Sequence, residues 1–297
     1  MISVDTLADP EHGRLDPLID LERYPLESPT SPAWRSLVEG LRSDLVENGL
    51  VTLPGFLRPE ALRRAAEEIS AIAPHVPIRR HRACVYHRPA LAEPGESSDP
   101  RGLELEWFAG HVTRDMIPPY AYAHRLYASA FFKQFIAACV GQQRVFEYAD
   151  PLAGLVATVL PPDGTYPWHY DTNEFVVTIM VQAPEAGGDF EYVQNLRSPG
   201  HENLSGLSRV IQDGDRSQVQ SVATQPGDLQ LFLGRYSLHQ VTQVHGDRAR
   251  HVLVLSYADR PGVIGPVDRT RSVYGRVTEA HLLAEQVVTA DNDGLIL

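Results

Sequence analysis

The sequence predicts a mainly β fold, a sandwich or barrel, with helices padding it from the N-terminal side. Three observations predict it. After Gly141, short β-type runs alternate with turn signals. Before Gly141, apolar residues recur at helical spacing. Finally, 297 residues with 43% apolar and 22% charged content form an ordinary globular mix, long enough for a core that needs no staples.

The elements follow in order. Residues 1–32 are rich in acid and proline (Pro10, Pro17, Pro25, Pro29, Pro32) and read as an extended arm. The first twenty residues hold no apolar run, so neither a secretory signal nor a basic transit peptide is expected, and the expected compartment is the cytoplasm. From Ala33 to Asn48, Trp34, Leu37, Val38, Leu41 and Leu45 fall on one helical stripe, and Gly49 stands where a C-cap glycine belongs. Residues 50–53 read as a strand stopped by Pro54-Gly55. A second helix starts at Pro59 and runs to about Ala73. Residues 74–120 read as irregular, with Pro94–Arg101 a loop, and 121–140 as a third helix. Strands are expected at 143–149, 154–160, 175–182, 189–193, 218–223, 228–234, 238–244 and 250–258. The separators include Pro161-Pro162-Asp163-Gly164, Gly187-Gly188, Asp213-Gly214 and Pro226-Gly227. The tail, 275–297, reads as a short helix over 278–288 and a loose end. The whole is expected to be a single domain over 1–297. Its parts are an N-terminal arm with supporting helices (1–140), a β core (141–260) and a C-terminal extension (261–297).

Charge excludes some functions. The net charge is -12 with no basic stripe, which argues against nucleic acid. No run reaches about 18 apolar residues, so no membrane span is expected. Lys133 is the single lysine, so a carboxylate clamp would be an arginine. Cys84 and Cys139 match no metal spacing and read as free thiols.

The chemistry concentrates in Gly164–Asn173 (GTYPWHYDTN). Its His169-x-Asp171 pair, at the start of a strand, would point both side chains to one face. The pair alone is weak, because His245-Gly246-Asp247 also fits. Context separates them: a later strand-borne histidine, His239, follows only the first pair. Two histidines and a carboxylate on one face leave three positions open, which suits ferrous iron that must admit oxygen and a co-substrate. Eleven residues after His239, Arg250 opens an apolar strand in which Arg250, Val252, Val254 and Ser256 share one face. Such a guanidinium needs a partner, met by a structural ion pair or by a ligand carboxylate such as that of 2-oxoglutarate. Arg248 shares its parity but sits in a turn. His87, His111, His124, His201 and His245 read as structural or exposed.

His169-x-Asp171, His239 and Arg250 together resemble the 2-oxoglutarate/Fe(II)-dependent dioxygenase superfamily. The runs GTYPWHYDTNEFVVTIMVQAPEAGGDFEYV and PGDLQLFLGRYSLHQVTQVHGDRARHVLVLSYADRPG resemble its bacterial branch of hydroxylases and halogenases of free amino acids or similar small molecules. The resemblance covers roughly residues 143–260. It implies a double-stranded β-helix core of jelly-roll, cupin-like type. It implies Fe(II) held by His169, Asp171 and His239, with O2 and 2-oxoglutarate as co-substrates and succinate and CO2 as co-products. Arg250 would grip the distal carboxylate of 2-oxoglutarate, with Arg248 as understudy. Thr158 is either a donor to the co-substrate or a core residue. Halogenases of this branch carry a small residue where this chain has Asp171, so hydroxylation without halogenation is implied. The expected partner is a small molecule of secondary metabolism, an amino acid or derivative. Tyr166, Trp168 and Asn173 flank the metal pair as candidate lining residues. Arg79 and Arg82 read first as a solvated face, and as anchors over the barrel mouth if the substrate carries a carboxylate. Desaturation or cyclisation, or a cupin-like metalloenzyme without 2-oxoglutarate, are the alternatives. No motif speaks to oligomeric state.

Overall fold

The computed structural model describes residue 15, residues 17–87 and residues 99–285. Most of the expected arm's first half, residues 94–98 of the expected loop and residues 286–297 of the tail lie outside the described residues.

Helix α1 (Pro32–Asn48) starts where Ser31 Oγ accepts the Trp34 N–H at 3.1 Å, with Pro32 in the first turn. It ends at Gly49, whose φ of 70° is left-handed. Strand β1 (Leu50–Leu53) and helix α2 (Pro59–Ile72) follow. Residues 74–120, expected to be irregular, instead contain β2 (Arg79–Ala83) and β3 (Leu105–Val112). The polar run Arg79–Arg82 hid a strand because β2 lies at a sheet edge, where side chains meet water. The expected third helix is two, α3 (Tyr122–Ala128) and α4 (Ala130–Cys139). Ser129 ends one and caps the other by accepting the Phe132 N–H at 3.3 Å.

The β region comprises β4 (Phe146–Glu147), β5 (Leu155–Leu160), β6 (Tyr166–His169), β7 (Val176–Gln182), β8 (Ala186–Gly187) and β9 (Phe190–Val193). Helix α5 (Leu204–Ile211), which the sequence reading missed, interrupts it. Asn203 caps it, accepting the Gly206 N–H at 3.1 Å. Then come β10 (Gln220–Val222), β11 (Leu229–Phe232), β12 (Leu238–Val241), β13 (Val244–His245), β14 (Arg250–Leu255) and β15 (Tyr257–Ala258). The C-terminal segment forms α6 (Val267–Tyr274), which the sequence reading missed, and α7 (Glu279–Glu285).

Seven antiparallel strands form one sheet in the order β1-β11-β7-β14-β5-β3-β2, and four form a second, β10-β9-β12-β6. This is the jelly-roll arrangement. Because β1, β2 and β3 belong to the larger sheet, the front of the chain builds the β layer as well as padding it. Strand parity sorts the two faces. Leu155, Ala157, Val159, Val177, Ile179, Leu229, Leu231, Leu253 and Leu255 face outward and pack on the helices, with Leu45, Ala65, Leu126, Phe132 and Ile136. The alternate residues, among them Val156, Thr158, Thr178, Gln230, Val252 and Val254, face the second sheet across a cavity of about 980 Å³. Among the described residues no helix is long and apolar enough to cross a membrane, and Cys84 and Cys139 are buried free thiols.

Candidate metal centre and substrate cavity

The cavity holds the one His/Cys/Asp/Glu cluster of metal-binding spacing among the described residues: His169, Asp171 and His239, with ligand atoms all within 4.8 Å of one another. His169 closes β6 and His239 lies on β12, and the two are directly opposed in the ladder. Their ring centroids are 4.0 Å apart. Asp171 lies two residues past the end of β6, so His-x-Asp straddles a strand end and does not open a strand. The Asp171 N–H donates to Gly234 O at 3.1 Å, which folds the carboxylate back beside the histidines.

The donors are pre-set. His169 Nδ1 meets Pro167 O at 2.7 Å and His239 Nδ1 meets Ser237 O at 3.0 Å, so each ring donates from Nδ1 and turns a bare Nε2 to the cavity. Burial holds both imidazoles below their usual pKa, His169 well below, which keeps them in the neutral form a metal needs. Asp171 Oδ2 lies 3.5 Å from His239 Nε2 and is a buried oxygen with no hydrogen-bond partner. An orphaned buried carboxylate oxygen is costly, and a cation at this point would satisfy it. Two imidazole nitrogens and one carboxylate oxygen match a ferrous site with open positions. The carboxylate is tightly seated: a Cβ on Gly234 would come within 2.0 Å of Asp171 Oδ2.

Arg250 opens β14 and lines the cavity at 5% exposure. Its Nε has no hydrogen-bond partner, and burial lowers its pKa to about 10. Thr158, across β5 from Val252, lines the same wall. Tyr166 and Asn173 also line the cavity. The Tyr166 hydroxyl lies 3.4 Å from His111 Nε2, and Asn173 Oδ1 accepts from the Tyr148 hydroxyl. Aromatic rings flank the cluster: Phe190 and Phe232 beside His239, Trp107 and Tyr166 beside His169.

Four residues expected at the site lie elsewhere. Trp168 has the opposite strand parity to His169 and packs with Cys84, Val85, Tyr86 and Tyr170 outside the cavity. Arg248 sits in an exposed turn, donating to Pro184 O at 3.2 Å. Arg79 reaches Ser272 O at 3.1 Å and ties β2 to α6, and Arg82 points into solvent from the edge strand. Conversely, His87 and His111, expected to be structural or exposed, line the cavity, with His87 4.8 Å from the His169 ring. Tyr148, Gln230, Arg269 and Tyr274 line it as well. Arg269, Thr270, Val273 and Tyr274 fall at i, i+1, i+4 and i+5 of α6, a helical face that was legible had the tail been read as a helix there.

Residues 108–269, more than half of the chain, match the family model described as Halogenase D, a span that contains the whole His169–Asp171–His239 cluster and Arg250. The chain belongs to the Halogenase D family. None of the curated proteins matches it. Among solved structures, this Halogenase D member is similar to the non-heme α-ketoglutarate-dependent epimerase SnoN from nogalamycin biosynthesis. The TM-score is 0.53 at 13% identity, covering 76% of this chain and 82% of that one. The SnoN complex with Fe3+, α-ketoglutarate and nogalamycin RO gives 0.52 at 14%, covering 76% and 84%. A 2OG-Fe(II) oxygenase family oxidoreductase from Burkholderia pseudomallei gives 0.49 at 18%, covering 78% and 93%. The likeness to SnoN shows that the Halogenase D member shares that enzyme's jelly-roll fold.

Proposed function

We propose that the chain is an Fe(II)- and 2-oxoglutarate-dependent dioxygenase that hydroxylates an unactivated C–H bond of a small molecule, an amino acid or a derivative of one. The observation that carries this reading is the orphaned Asp171 Oδ2 converging with two Nε2 atoms on the wall of the cavity. Iron and 2-oxoglutarate, when bound, supply the oxidising power drawn from O2, releasing succinate and CO2.

The protein's own residues do the rest. His169, Asp171 and His239 would hold the metal on one face and leave the cavity side open for exchangeable ligands. Pro167 O and Ser237 O fix which ring nitrogens face it. Arg250, buried and short of a partner for its Nε, would take the distal carboxylate of 2-oxoglutarate through a two-point fork. Thr158 stands on the adjacent strand as a hydroxyl donor to the same molecule. Val156, Val252, Val254, Phe190 and Phe232 give the cavity an apolar lining against which the substrate's carbon skeleton would lie. Hydroxylation is favoured over halogenation because the Asp171 carboxylate fills the space against Gly234 that a halide would need beside the metal.

The test is an anaerobic Fe(II) titration followed by a screen of small molecules for substrate-stimulated succinate release. The reading expects one iron per chain and a product heavier by one oxygen, without chlorine, in chloride buffer. No iron uptake, or oxidation that proceeds without consuming 2-oxoglutarate, overturns it. Succinate release with loss of two hydrogens from the substrate would instead mark desaturation or ring closure.

A further inference from the structure

Two walls of the cavity are sheets, stiffened by their ladder hydrogen bonds. A third wall is built differently. Residues 259–285 cross the cavity and present Val263, Ile264, Thr270, Val273 and Tyr274 to it. Within that segment the buried residues are Val267, Thr270 and His281, and one of these is apolar. Helix α4, by comparison, buries Phe132, Phe135, Ile136, Ala137 and Cys139. Leu282 and Leu283 of α7 are 48% and 57% exposed. Helices α6 and α7 pack on each other more than on any strand or any other helix. Hydrophobic burial therefore holds this wall weakly. A segment with few buried apolar contacts opens by itself more readily than a core does.

Polar bonds hold it instead, and they differ between its two ends. The start is fastened through the backbone. The Ala149 N–H donates to Val263 O at 2.9 Å, and the Gly265 N–H donates to Asp150 Oδ2 at 2.9 Å. Past Gly265, every hydrogen bond from 266–285 to the rest of the described chain involves a side chain. Arg79 donates to Ser272 O at 3.1 Å. Arg276 meets Asp115 at 2.7 Å, with the two side chains 44% and 42% exposed, and an ion pair that open to water contributes little.

His281 is the exception. Its ring is wholly buried, its Nδ1 accepts the Thr278 N–H at 3.2 Å, and its Nε2 lies 3.1 Å from Asp150 Oδ2. With Nδ1 occupied as an acceptor, Nε2 carries the proton and donates to the carboxylate. The other Asp150 oxygen accepts from the Leu152 and Ala153 N–H groups at 2.7 and 2.8 Å, so the carboxylate itself is fixed to the β body. One buried carboxylate thus grips both ends of the segment: Gly265 before α6 and His281 within α7.

We propose that α6 and α7 form a flap that pivots at Gly265, is closed by His281 on Asp150, and opens to let small molecules reach the cavity. Val267 and Thr270 lie next to the pivot and move least. Once His281 is released, the exposed Arg276 pair and the Arg79 bond are the remaining restraints on the far end. The flap requires neither iron nor 2-oxoglutarate, so its failure would leave the dioxygenase reading standing.

The experiment uses the full metal-free chain with a reporter thiol on the cavity wall. Val254 of β14 is half-buried there and is replaced as Val254→Cys. Methyl methanethiosulfonate is the probe, and peptide mapping separates the reporter from Cys84 and Cys139, which are buried. The reporter is expected to react at least about tenfold more slowly than in the unfolded chain. Adding His281→Gln should speed it at least about tenfold, whereas adding Arg276→Gln should speed it less than about threefold. Hydrogen exchange on the unsubstituted chain gives a second reading: amides of 266–285 should exchange at least about tenfold faster than those of β5 and β14. Four results overturn the proposal. They are a reporter as reactive as in the unfolded chain, a rate unchanged by His281→Gln, protection of 266–285 equal to that of β14, or an equal rise of exchange in β5 and the flap when His281 is replaced.

Discussion

Replacing Gly234 by alanine adds one carbon to the chain, and the geometry predicts a large loss of metal affinity. The new Cβ would stand 2.0 Å from Asp171 Oδ2, 2.8 Å from its Cγ and 3.0 Å from its Cβ. Rotating the carboxylate relieves the first two contacts and not the third, because the Cβ position is set by the backbone. The loop carrying Asp171 must therefore shift, by more than the roughly 0.2 Å within which metal–ligand distances are held. Disturbing even an outer partner of a ligand costs about 10- to 100-fold in metal affinity. Displacing the carboxylate itself should cost at least about 100-fold, or roughly 2.7 kcal/mol. The 3.1 Å bond from the Asp171 N–H to Gly234 O would be strained too, adding about 1 kcal/mol of lost stability. Anaerobic Fe(II) titration reads the first effect, and thermal unfolding of the metal-free protein reads the second. Iron affinity within about threefold of wild type, in a folded variant, would refute the reasoning from contact distance to metal loss.

Three further outcomes are expected. Arg250→Ala should raise the KM for 2-oxoglutarate by at least about tenfold, since removing one side of a buried charged pair costs 2–5 kcal/mol; steady-state succinate release measures it. His111 has its pKa driven down to about 3 by burial, so the unfolded chain binds a proton below about pH 6.5 that the folded chain refuses. Stability should therefore be full above that pH and fall on acidification toward 3. In denaturant unfolding, His111→Phe should remove roughly 1 kcal/mol per pH unit of that slope. Asp150→Asn weakens a carboxylate that accepts from Leu152, Ala153, Gly265 and His281. It should cost about 1–3 kcal/mol in thermal unfolding and expose the α6–α7 segment to limited proteolysis.

Much of the β architecture was legible because each strand carries its own period-2 signal, and the parity of β14 separated Arg250, Val252, Val254 and Ser256 from the core-facing Leu253 and Leu255. What stayed hidden did so for physical reasons. Strand β2 is a polar edge whose pairing is decided by β3, far along the chain. Helix α5 is a short segment whose Ser205, Gly206 and Ser208 weaken its helix preference, although Leu204, Leu207, Val210 and Ile211 fall at helical spacing behind the Asn203 cap. His87 reaches the cavity from a turn at a left-handed φ of 59°, which no spacing rule describes. Arg269 comes from beyond the β core, so no strand-based motif could include it. The metal cluster was legible because two of its members sit two residues apart and the third lies on a strand directly opposed to the first.

That direct opposition of His169 and His239 has a consequence for how the molecule matures. A one-residue slip of β12 against β6 would turn the imidazole at 239 away from its counterpart, leaving a sheet that is hydrogen-bonded yet unable to chelate. Because a ligand that binds only one register draws the population toward it, a metal held by His169, Asp171 and His239 would favour the observed alignment of β12 on β6.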